Sequence, residues 1–373
     1  MIAALVLSLL VPQAAPPPAD PDCVALTGLR IMTVSHGDVE SGTILVRAGK
    51  ILAAGADVRA PAGAKTVDGK GLTAFPGLVN PLSRLGMPDG SGAGGGAHHQ
   101  ALDDFNPVAE SIAQAARSGV TVFALQPSGS GLAGRGALIK PVGWTRQQQV
   151  LEKASFLRIV LAPGSAPKEA LRQALEGARK LLEADRKKID DKTMPLVQFL
   201  KGELVGVVEA GTPAELLHFW QVMDGFPEST PRVVFSAGPD AYKAAAALGA
   251  RKARVILRPV LALAPFTRER INTAAELEKA GVQVAFAPTA ETSEALEGIF
   301  FRVAELVKYG LSRAAGLRAL TLEPAEMLGI DARVGSIDAG KDADFLLLTG
   351  DPLSAQARVK EVYINGRPVF PGE

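Results

Sequence analysis

Histidine and cysteine, the side chains that most often hold catalytic transition metals, are scarce in this sequence of 373 residues. The histidines are His36, His98, His99 and His218, and Cys23 is the only cysteine. A single cysteine excludes an intrachain disulfide and a metal site built from cysteines. We interpret Cys23, in PADPDC, as a structural or incidental thiol. Any metal site would therefore depend on histidines and carboxylates.

Two of the histidines are candidates for chemistry, because they are adjacent. His98 and His99 end the glycine-rich stretch DGSGAGGGAHHQ, which predicts an exposed, flexible loop. Neighbouring side chains on such a loop lack the preorganisation of ligands on facing strands, so we favour the loop over a metal role. His36 falls in a hairpin-like turn, and His218, in ELLHFWQVM, is predicted to pack within a helix or face solvent.

Two other stretches carry polar groups with weaker signals. Asp103 and Asp104 in ALDDFNP are neighbours in sequence and need not face one another, so a turn or helix-capping role is favoured. The stretch PSGSGLAGRGALIKP, residues 127 to 141, is rich in glycine and serine. It does not fit the phosphate-loop pattern, and no dinucleotide fingerprint occurs elsewhere. Phosphate binding is therefore disfavoured.

Composition excludes the polymer-binding classes. The sequence is 47% hydrophobic and 21% charged, with a formal net charge of +1. Such a balance gives no electrostatic footprint for nucleic acid or for an acidic membrane surface. The length suits two ordinary domains or one large α/β barrel.

The first 22 residues resemble a targeting segment. The apolar run IAALVLSLLV, residues 2 to 11, is followed by the proline-rich PQAAPPPADPD. Ten residues are too few to span a bilayer. We predict a signal peptide and linker over residues 1 to 22, periplasmic or secreted export, and no integral membrane span after signal removal. No Lys or Arg precedes the run, so a buried or disordered N-terminus is the alternative.

Both ends of the chain predict β-structure, and the middle predicts alternation. β-rich segments cover residues 24 to 34, 42 to 55 and 64 to 77, and the C-terminal segments GSIDAGKDADFLLLTGDP and VKEVYINGRPVF have the same character. Between them, apolar runs alternate with amphipathic segments, and Thr212 and Pro213 predict a helix N-terminus. This alternation indicates a parallel sheet, most economically a (β/α)8 barrel. Chemistry in that fold lies where strands end.

These segments also resemble a known family. ALTGLRIMTVSHGDVESGTILVRAGKILAAG and FPGLVN near the start, with LTLEPAEMLGIDARVGSIDAGKDADFLLLTGDPL near the end, are similar to the amidohydrolase superfamily, imidazolonepropionase-like branch. The resemblance implies an α/β protein, a distorted (β/α)8 TIM-type barrel plus a small β-sandwich domain built from both termini. The expected domains are residues 23 to 76 with 335 to 373, and the barrel over 77 to 334. It also makes residues 127 to 141 a loop at the barrel mouth.

The same resemblance implies hydrolysis of carbon–nitrogen bonds at one or two divalent metals, yet the matching positions lack ligands. The two histidines of the first strand correspond to Leu82 and Arg84, which offer no metal-binding lone pair. The fifth-strand histidine corresponds to Glu209, the sixth-strand histidine to Ala237 and the eighth-strand aspartate to Thr289. The fourth-strand position could not be placed. Metal ligands are therefore expected to be absent.

Arg84 and Glu209 could instead form an ion pair that fills the former metal site. An Arg84 side chain directed to solvent is the alternative. Glu209 is also a weak candidate for a general base, although no electrophilic partner is recognisable.

We therefore expect a catalytically degenerate amidohydrolase-like protein, without a cofactor, with a binding, regulatory or structural role. A small-molecule ligand in the barrel mouth and oligomerisation are possible partners. The alternative is an active hydrolase of non-peptide or dipeptide amide bonds with a noncanonical site, and only that alternative requires a divalent metal such as zinc.

Overall fold

The computed structural model describes residues 20, 22–88, 95–184, 189–264 and 266–370. The predicted signal peptide and most of its linker lie outside these residues. None of the described helices combines the length and apolar character needed to cross a membrane.

One eight-stranded sheet takes its strands from both ends of the chain. Its strands are β1 (Val24–Ile31), β2 (Val39–Arg47), β3 (Lys50–Gly55), β4 (Lys65–Asp68), β5 (Thr73–Pro76), β16 (Phe345–Leu348), β17 (Val359–Ile364) and β18 (Arg367–Phe370). The order is β18-β17-β16-β5-β1-β2-β3, with β4 pairing β1. Apolar residues alternate along these strands, so that one face of the sheet is buried. On that face Phe345 stacks on Tyr363, with 4.7 Å between the ring centroids. The β-rich character predicted for both termini is confirmed.

A second eight-stranded sheet forms the barrel. Its strands are β6 (Leu78–Ser83), β7 (Val120–Leu125), β8 (Gly131–Ile139), β9 (Val150–Leu161), β10 (Val205–Ala210), β11 (Val233–Ala237), β12 (Arg254–Leu257) and β15 (Gln283–Phe286). They lie in chain order from β6 to β15. The sheet is nearly closed by Ala319 and Leu320, whose carbonyls accept from Phe286 N at 2.7 Å and Val79 N at 3.0 Å. The predicted distorted TIM-type barrel is confirmed.

Helices accompany the strands of this barrel, and most of them pack on its outer surface. They are α1 (Glu110–Arg117), α2 (Arg146–Gln149), α3 (Ser165–Ala184), α4 (Met194–Leu200), α5 (Pro213–Met223), α6 (Ala245–Ala250), α7 (Thr273–Lys279), α8 (Ser293–Glu297), α9 (Ile299–Lys308), α10 (Arg313–Arg318) and α11 (Leu322–Leu328). Short 3-10 helices occupy Ala101–Asp103 and Pro239–Ala244, and a small hairpin, β13 (Ala262–Leu263) with β14 (Arg270–Ile271), follows β12. Thr212 caps α5 as predicted, in a capping box with Glu215.

The predicted alternation fails at one strand. Residues 127 to 141 were expected to form a loop at the barrel mouth, but Gly131–Ile139 is β8, which runs antiparallel between β7 and β9. The glycines of β8 permit this antiparallel pairing because, without side chains, they let neighbouring segments lie close to the strand. A Cβ on Gly134 would lie 2.7 Å from the carbonyl oxygen of His99. No full helix separates β7, β8 and β9, so this part of the barrel is a meander.

The barrel interior is packed with apolar side chains rather than open. Alternate strand residues form one buried cluster, and the segment from α11 to Val334 contributes to it. Phe156 on β9 is fully buried there and lies opposite Gly136 on β8. A Cβ on Gly136 would come within 1.9 Å of the Phe156 ring, so the absence of a side chain makes room for the aromatic ring.

Gly136→Ala should therefore lower the free energy of unfolding by about 1–3 kcal/mol, because the added methyl overpacks a filled core. Urea denaturation measures the effect. The matched control is Gly177→Ala in α3, where nothing lies within 4 Å of the added Cβ. Helix propensity predicts a gain of roughly 0.5–1 kcal/mol there. Equal effects of the two changes would contradict the packing described for Phe156.

A buried ionic cluster joins the barrel to the first sheet. Lys140, just after β8, places Nζ 2.8 Å from an Asp342 oxygen, 2.7 Å from an Asp344 oxygen and 2.6 Å from Asn365 Oδ1. Lys50 and Arg333 also bind the Asp342 carboxylate. Burial raises the pKa of Asp344, although Lys140 acts against the rise. Burial opposes ionisation of Asp342 as well, but hydrogen bonds from Lys140 and Lys50 hold its pKa below the usual value.

Candidate ligand site at the barrel mouth

The predicted site residues lie at the carboxyl ends of barrel strands, but not all of them face inward. Leu82 on β6 packs against the interior cluster. Glu209 and Thr289 continue the interior parity of Val207 and Ala287. Ala237 was predicted to line the pocket, and the structure corrects this.

Ala237 packs with the outer cluster, because Val234 takes the interior position on β11 and side chains alternate along a strand. Ser236 therefore has the interior parity at the end of this strand.

Glu209 forms the central ion pair of the mouth with Arg158 on β9. The Arg158 Nη2 donates to Glu209 Oε2 at 2.6 Å, and the two side chains are 16% and 47% exposed. The Arg158 Nη1 donates to the carbonyls of Pro127 at 2.8 Å and Gly129 at 3.1 Å. Arg158 thus holds the loop after β7 in place. It also forms an ion pair with the carboxylate that would otherwise be available to a metal.

The ion pair expected between Arg84 and Glu209 is not present among the described contacts. Arg84 Nη1 donates instead to Ser128 Oγ at 2.8 Å, and Nη2 donates to the Pro88 carbonyl at 3.5 Å. The reason is the loop of residues 127 to 129, which Arg84 and Arg158 contact from different strands. Arg158 lies on β9, which neighbours the strand of Glu209, whereas Arg84 follows the more distant β6. Arg158 is therefore the arginine that pairs with Glu209.

Glu291, which the sequence analysis did not identify, links the segment after the last barrel strand to the first strand. Glu291 Oε1 accepts from Asn80 Nδ2 at 3.0 Å, and Oε2 accepts from Arg84 N at 2.7 Å. Burial raises the pKa of Glu291, against the hydrogen bonds from Ser83, Arg84 and Asn80 and the nearby charge of Arg258. Glu291 therefore holds the end of β6 to the segment after β15.

The raised pKa gives Glu291 a defined pH signature. Because the folded state binds its proton more strongly than the unfolded state, this group stabilises the fold at low pH, and the contribution is lost as pH rises through the folded-state pKa. The unfolding free energy of the parent minus that of Glu291→Gln should therefore fall as the pH rises above about 4, where a glutamate of an unfolded chain loses its proton. Urea denaturation at several pH values measures this difference. Glu294→Gln, at an exposed position of α8, is the control. A difference that rises with pH would contradict the assignment.

A third arginine lies at the mouth after β12. Arg258 follows the interior residue Ile256 by two positions, and its Nη1 donates to the carbonyls of Pro288 and Thr289, the latter at 3.0 Å. The side chain is exposed. It holds the end of the neighbouring strand in place, as Arg158 holds the loop after β7.

The remaining candidates lie apart from these contacts. His99 Nε2 is 3.2 Å from Asp104 Oδ2, and the chain around His98 and His99 accepts bonds from Arg135. Asp103 lies in a short 3-10 helix, in agreement with the turn role. The other candidates are explained by packing or by local turns. His36 lies in a turn beside Asp338, His218 is half-buried in α5, and Cys23 is buried before β1.

The side chains of the mouth do not fit a metal centre of the type that the superfamily uses. Leu82 has no donor atom, Arg84 is cationic, and Glu209 is neutralised by Arg158. Over the described ranges, no group of three or more His, Cys, Asp or Glu residues is arranged to hold a metal ion.

Sequence reasoning missed Arg158, Arg258 and Glu291. For Arg158 and Arg258 the available signal was the alternation of side chains along a strand, since each lies two residues after an interior apolar residue, Phe156 or Ile256. Glu291 lies five residues beyond the end of β15, where this alternation gives no signal. The arrangement they form can bind polar or anionic groups through guanidinium donors.

Comparison with known proteins points to one superfamily. A family model described as Amidohydrolase family matches residues 307–370. Over 62 residues the chain is 42% identical to amidohydrolase tasK of Hapsidospora irregularis, and over 64 residues it is 44% identical to N-acetylglucosamine-6-phosphate deacetylase of Mus musculus. Each match covers 17% of this chain, and they cover 6% and 14% of those proteins. The family model therefore concerns one C-terminal segment, and each relative matches only a small part of this chain.

Solved structures extend the similarity to most of the chain. An amidohydrolase from Thermotoga maritima MSB8 superimposes with a TM-score of 0.80 at 25% identity, covering 93% of this chain and 99% of that one. The match to a prolidase complexed with N-methylphosphonate-L-proline covers 93% of this chain and 99% of the prolidase, with a TM-score of 0.57. At 15% identity, this match shows the fold alone. The resemblance to the amidohydrolase superfamily is confirmed.

Proposed function

We propose that this protein, which has the fold of the amidohydrolase superfamily and its C-terminal sequence signature, is a catalytically degenerate member that binds a small molecule at the barrel mouth. Its role would be binding, regulatory or structural. Ordinary metal-dependent hydrolysis of amide bonds would be lost.

One observation carries the proposal, the Arg158–Glu209 ion pair. Glu209 is the carboxylate among the positions that correspond to metal ligands, and a guanidinium at 2.6 Å already satisfies its charge. A metal would have to displace Arg158, which is also bonded to two loop carbonyls. The other corresponding positions hold Leu82, Arg84, Ala237 and Thr289, none of which supplies an imidazole or a carboxylate.

The second candidate is an active hydrolase of carbon–nitrogen bonds with a noncanonical site. It is favoured by the 64-residue match to a deacetylase and by the exposure of Glu209, 47% of whose side chain is accessible. In this alternative Glu209 would leave Arg158 and act as a general base, and a divalent metal such as zinc could be required. Export and oligomerisation are compatible with either proposal and are proposed on the sequence alone.

Hydrolysis assays separate the two candidates. The full chain is incubated with a panel of N-acyl amino acids and dipeptides, with and without added zinc or manganese, beside Glu209→Gln. The proposal predicts no turnover above that of Glu209→Gln under any condition. Metal-dependent turnover that Glu209→Gln abolishes, with the fold retained by circular dichroism, would overturn it.

A further inference from the structure

A cleft with a volume of about 300 Å³ lies between α10 and the segment that follows β1. Its lining residues fall within Met32 to Asp38 on one side and Arg313 to Arg318 on the other. None of the described residues of the barrel mouth is among them. Pockets for small molecules begin at roughly this volume, so the cleft is large enough for a small ligand.

The floor of the cleft is apolar. Met32 and Leu317 are buried members of the main hydrophobic core, and Val34 packs against that core. Ala314, on the α10 side, is exposed and contributes only a methyl group. An apolar ligand would therefore be removed from water against these side chains, which favours its binding.

Val34 has a backbone conformation that β-branched residues rarely adopt, with a φ of 69°. Hydrogen bonds hold the turn in which it lies. His36 N donates to Thr33 Oγ1 at 2.9 Å, and Ser35 Oγ donates to Asp338 Oδ1 at 2.8 Å. Backbone strain that the surrounding structure maintains is concentrated at functional positions. The strain at Val34 is thus a second observation, separate from the shape of the cleft, that indicates a functional site.

The charged side chains at the rim of the cleft are already paired. The pairs are Asp38 with Arg30 at 3.1 Å, Arg313 with Asp351, and Arg318 with Glu323 at 2.9 Å and Glu326 at 3.2 Å. An anion would compete with carboxylates for the arginines of the rim, and a cation would compete with an arginine for the rim carboxylate. The cleft therefore favours an uncharged molecule.

His36 offers a hydrogen-bond acceptor at the rim. Its Nδ1 lies 3.1 Å from Asp338 Oδ1. Burial opposes ionisation of Asp338, but hydrogen bonds from Ser336 and Ser35 hold its pKa below the usual value. The ionised carboxylate can only accept, so Nδ1 of His36 carries the proton. Nε2 of the neutral ring is then an acceptor, and it makes no hydrogen bond to the residues that the structure describes.

We propose that this cleft binds a small, uncharged apolar molecule that carries one hydroxyl group, such as a phenol. The apolar part lies against Met32, Val34 and Leu317, and the hydroxyl donates to Nε2 of His36. The inference adds a second binding site to the one proposed at the barrel mouth and does not depend on it. It involves no covalent step.

The test uses 4-fluorophenol and 4-fluorotoluene, which have similar shapes but differ in the hydroxyl donor. Fluorine NMR titrations of the full chain should show that both bind. His36→Phe keeps a ring but removes Nε2, so it should weaken 4-fluorophenol about three- to tenfold relative to 4-fluorotoluene, the effect of one lost hydrogen bond. A change in the shape of the cleft would weaken both probes and leave this ratio unchanged.

A second variant locates the bound probes. Ala314→Trp places a large side chain in the cleft from α10 and should weaken both probes by about tenfold or more. Ala246→Trp, at an exposed position of α6, is the matched control and should leave both affinities unchanged. If Ala314→Trp does not fold, Ala314→Leu fills less of the cleft and should still weaken both probes.

Four results would overturn the proposal. They are no binding of 4-fluorophenol, an unchanged ratio of the two affinities in His36→Phe, unchanged affinities when Ala314 is enlarged, and tighter binding of 4-fluorobenzoate or 4-fluorobenzylammonium than of 4-fluorophenol. Metal-dependent turnover in the hydrolysis assays would overturn the function proposed for the barrel mouth and leave this site unaffected, so the two failures are distinguishable.

Discussion

Lys140→Met is expected to lower the free energy of unfolding by about 3–5 kcal/mol, the usual cost of removing one partner from a buried ion pair. The Lys140 side chain is 4% exposed, and those of Asp342 and Asp344 are 2% exposed. Methionine keeps an unbranched side chain of similar length but removes the cation. Asp344 would then be buried with only the backbone N–H of Asn365 as a described donor. Urea denaturation followed by circular dichroism measures the loss.

Lys50→Met is the matched control, because Lys50 binds the same Asp342 carboxylate from a position that is 45% exposed. Solvent can replace that contact, so a loss of no more than about 1 kcal/mol is expected. If Lys140→Met cost as little as Lys50→Met, the cluster would not be what joins the barrel to the first sheet.

Arg158→Met should destabilise the fold by about 1.5–3 kcal/mol, because a charged donor is removed from the Pro127 and Gly129 carbonyls and from Glu209. The methionine side chain retains the packing of the aliphatic stem. Thermal and urea denaturation measure the change in stability, and limited proteolysis should show faster cleavage near residues 127 to 129.

Glu209→Gln is the control for this change. It removes the same ion pair, but the carboxylate is half-exposed and the loop carbonyls keep their donor, so a loss of no more than about 1 kcal/mol is expected. Equal losses in the two variants would mean that the ion pair, rather than the anchored loop, accounts for the effect of Arg158.

The framework of the fold followed from the sequence because its signals are local. Strand segments at both ends showed β-branched residues punctuated by glycine, and Thr212 with Pro213 marked the start of α5. The course of β8 could not be predicted, because residues 127 to 141 look like a loop by composition. It becomes a strand only through Gly136 accommodating the Phe156 ring and Gly134 lying beside His99, which are contacts between distant segments.

The candidate site was predictable in position but not in its pairings. The resemblance to the amidohydrolase superfamily pointed to Leu82, Arg84, Glu209 and Thr289, yet the sequence does not say which arginine pairs with which carboxylate. Arg158 was overlooked because it lies within a strand of ordinary appearance. Glu291 was overlooked because its partners lie more than 200 residues away. The face of Ala237 was misjudged by one residue, which in a strand reverses the direction of the side chain.

The most direct test of the central claim is the metal content of the full chain, purified without chelators and measured by mass spectrometry after incubation with zinc and removal of free metal. Because Arg158 holds Glu209 and the neighbouring positions carry no ligands, we predict no stoichiometric metal, with equal traces in the parent and in Glu209→Gln. One or more zinc ions per chain in the parent, lost in Glu209→Gln, would contradict the proposal that the metal centre has been replaced.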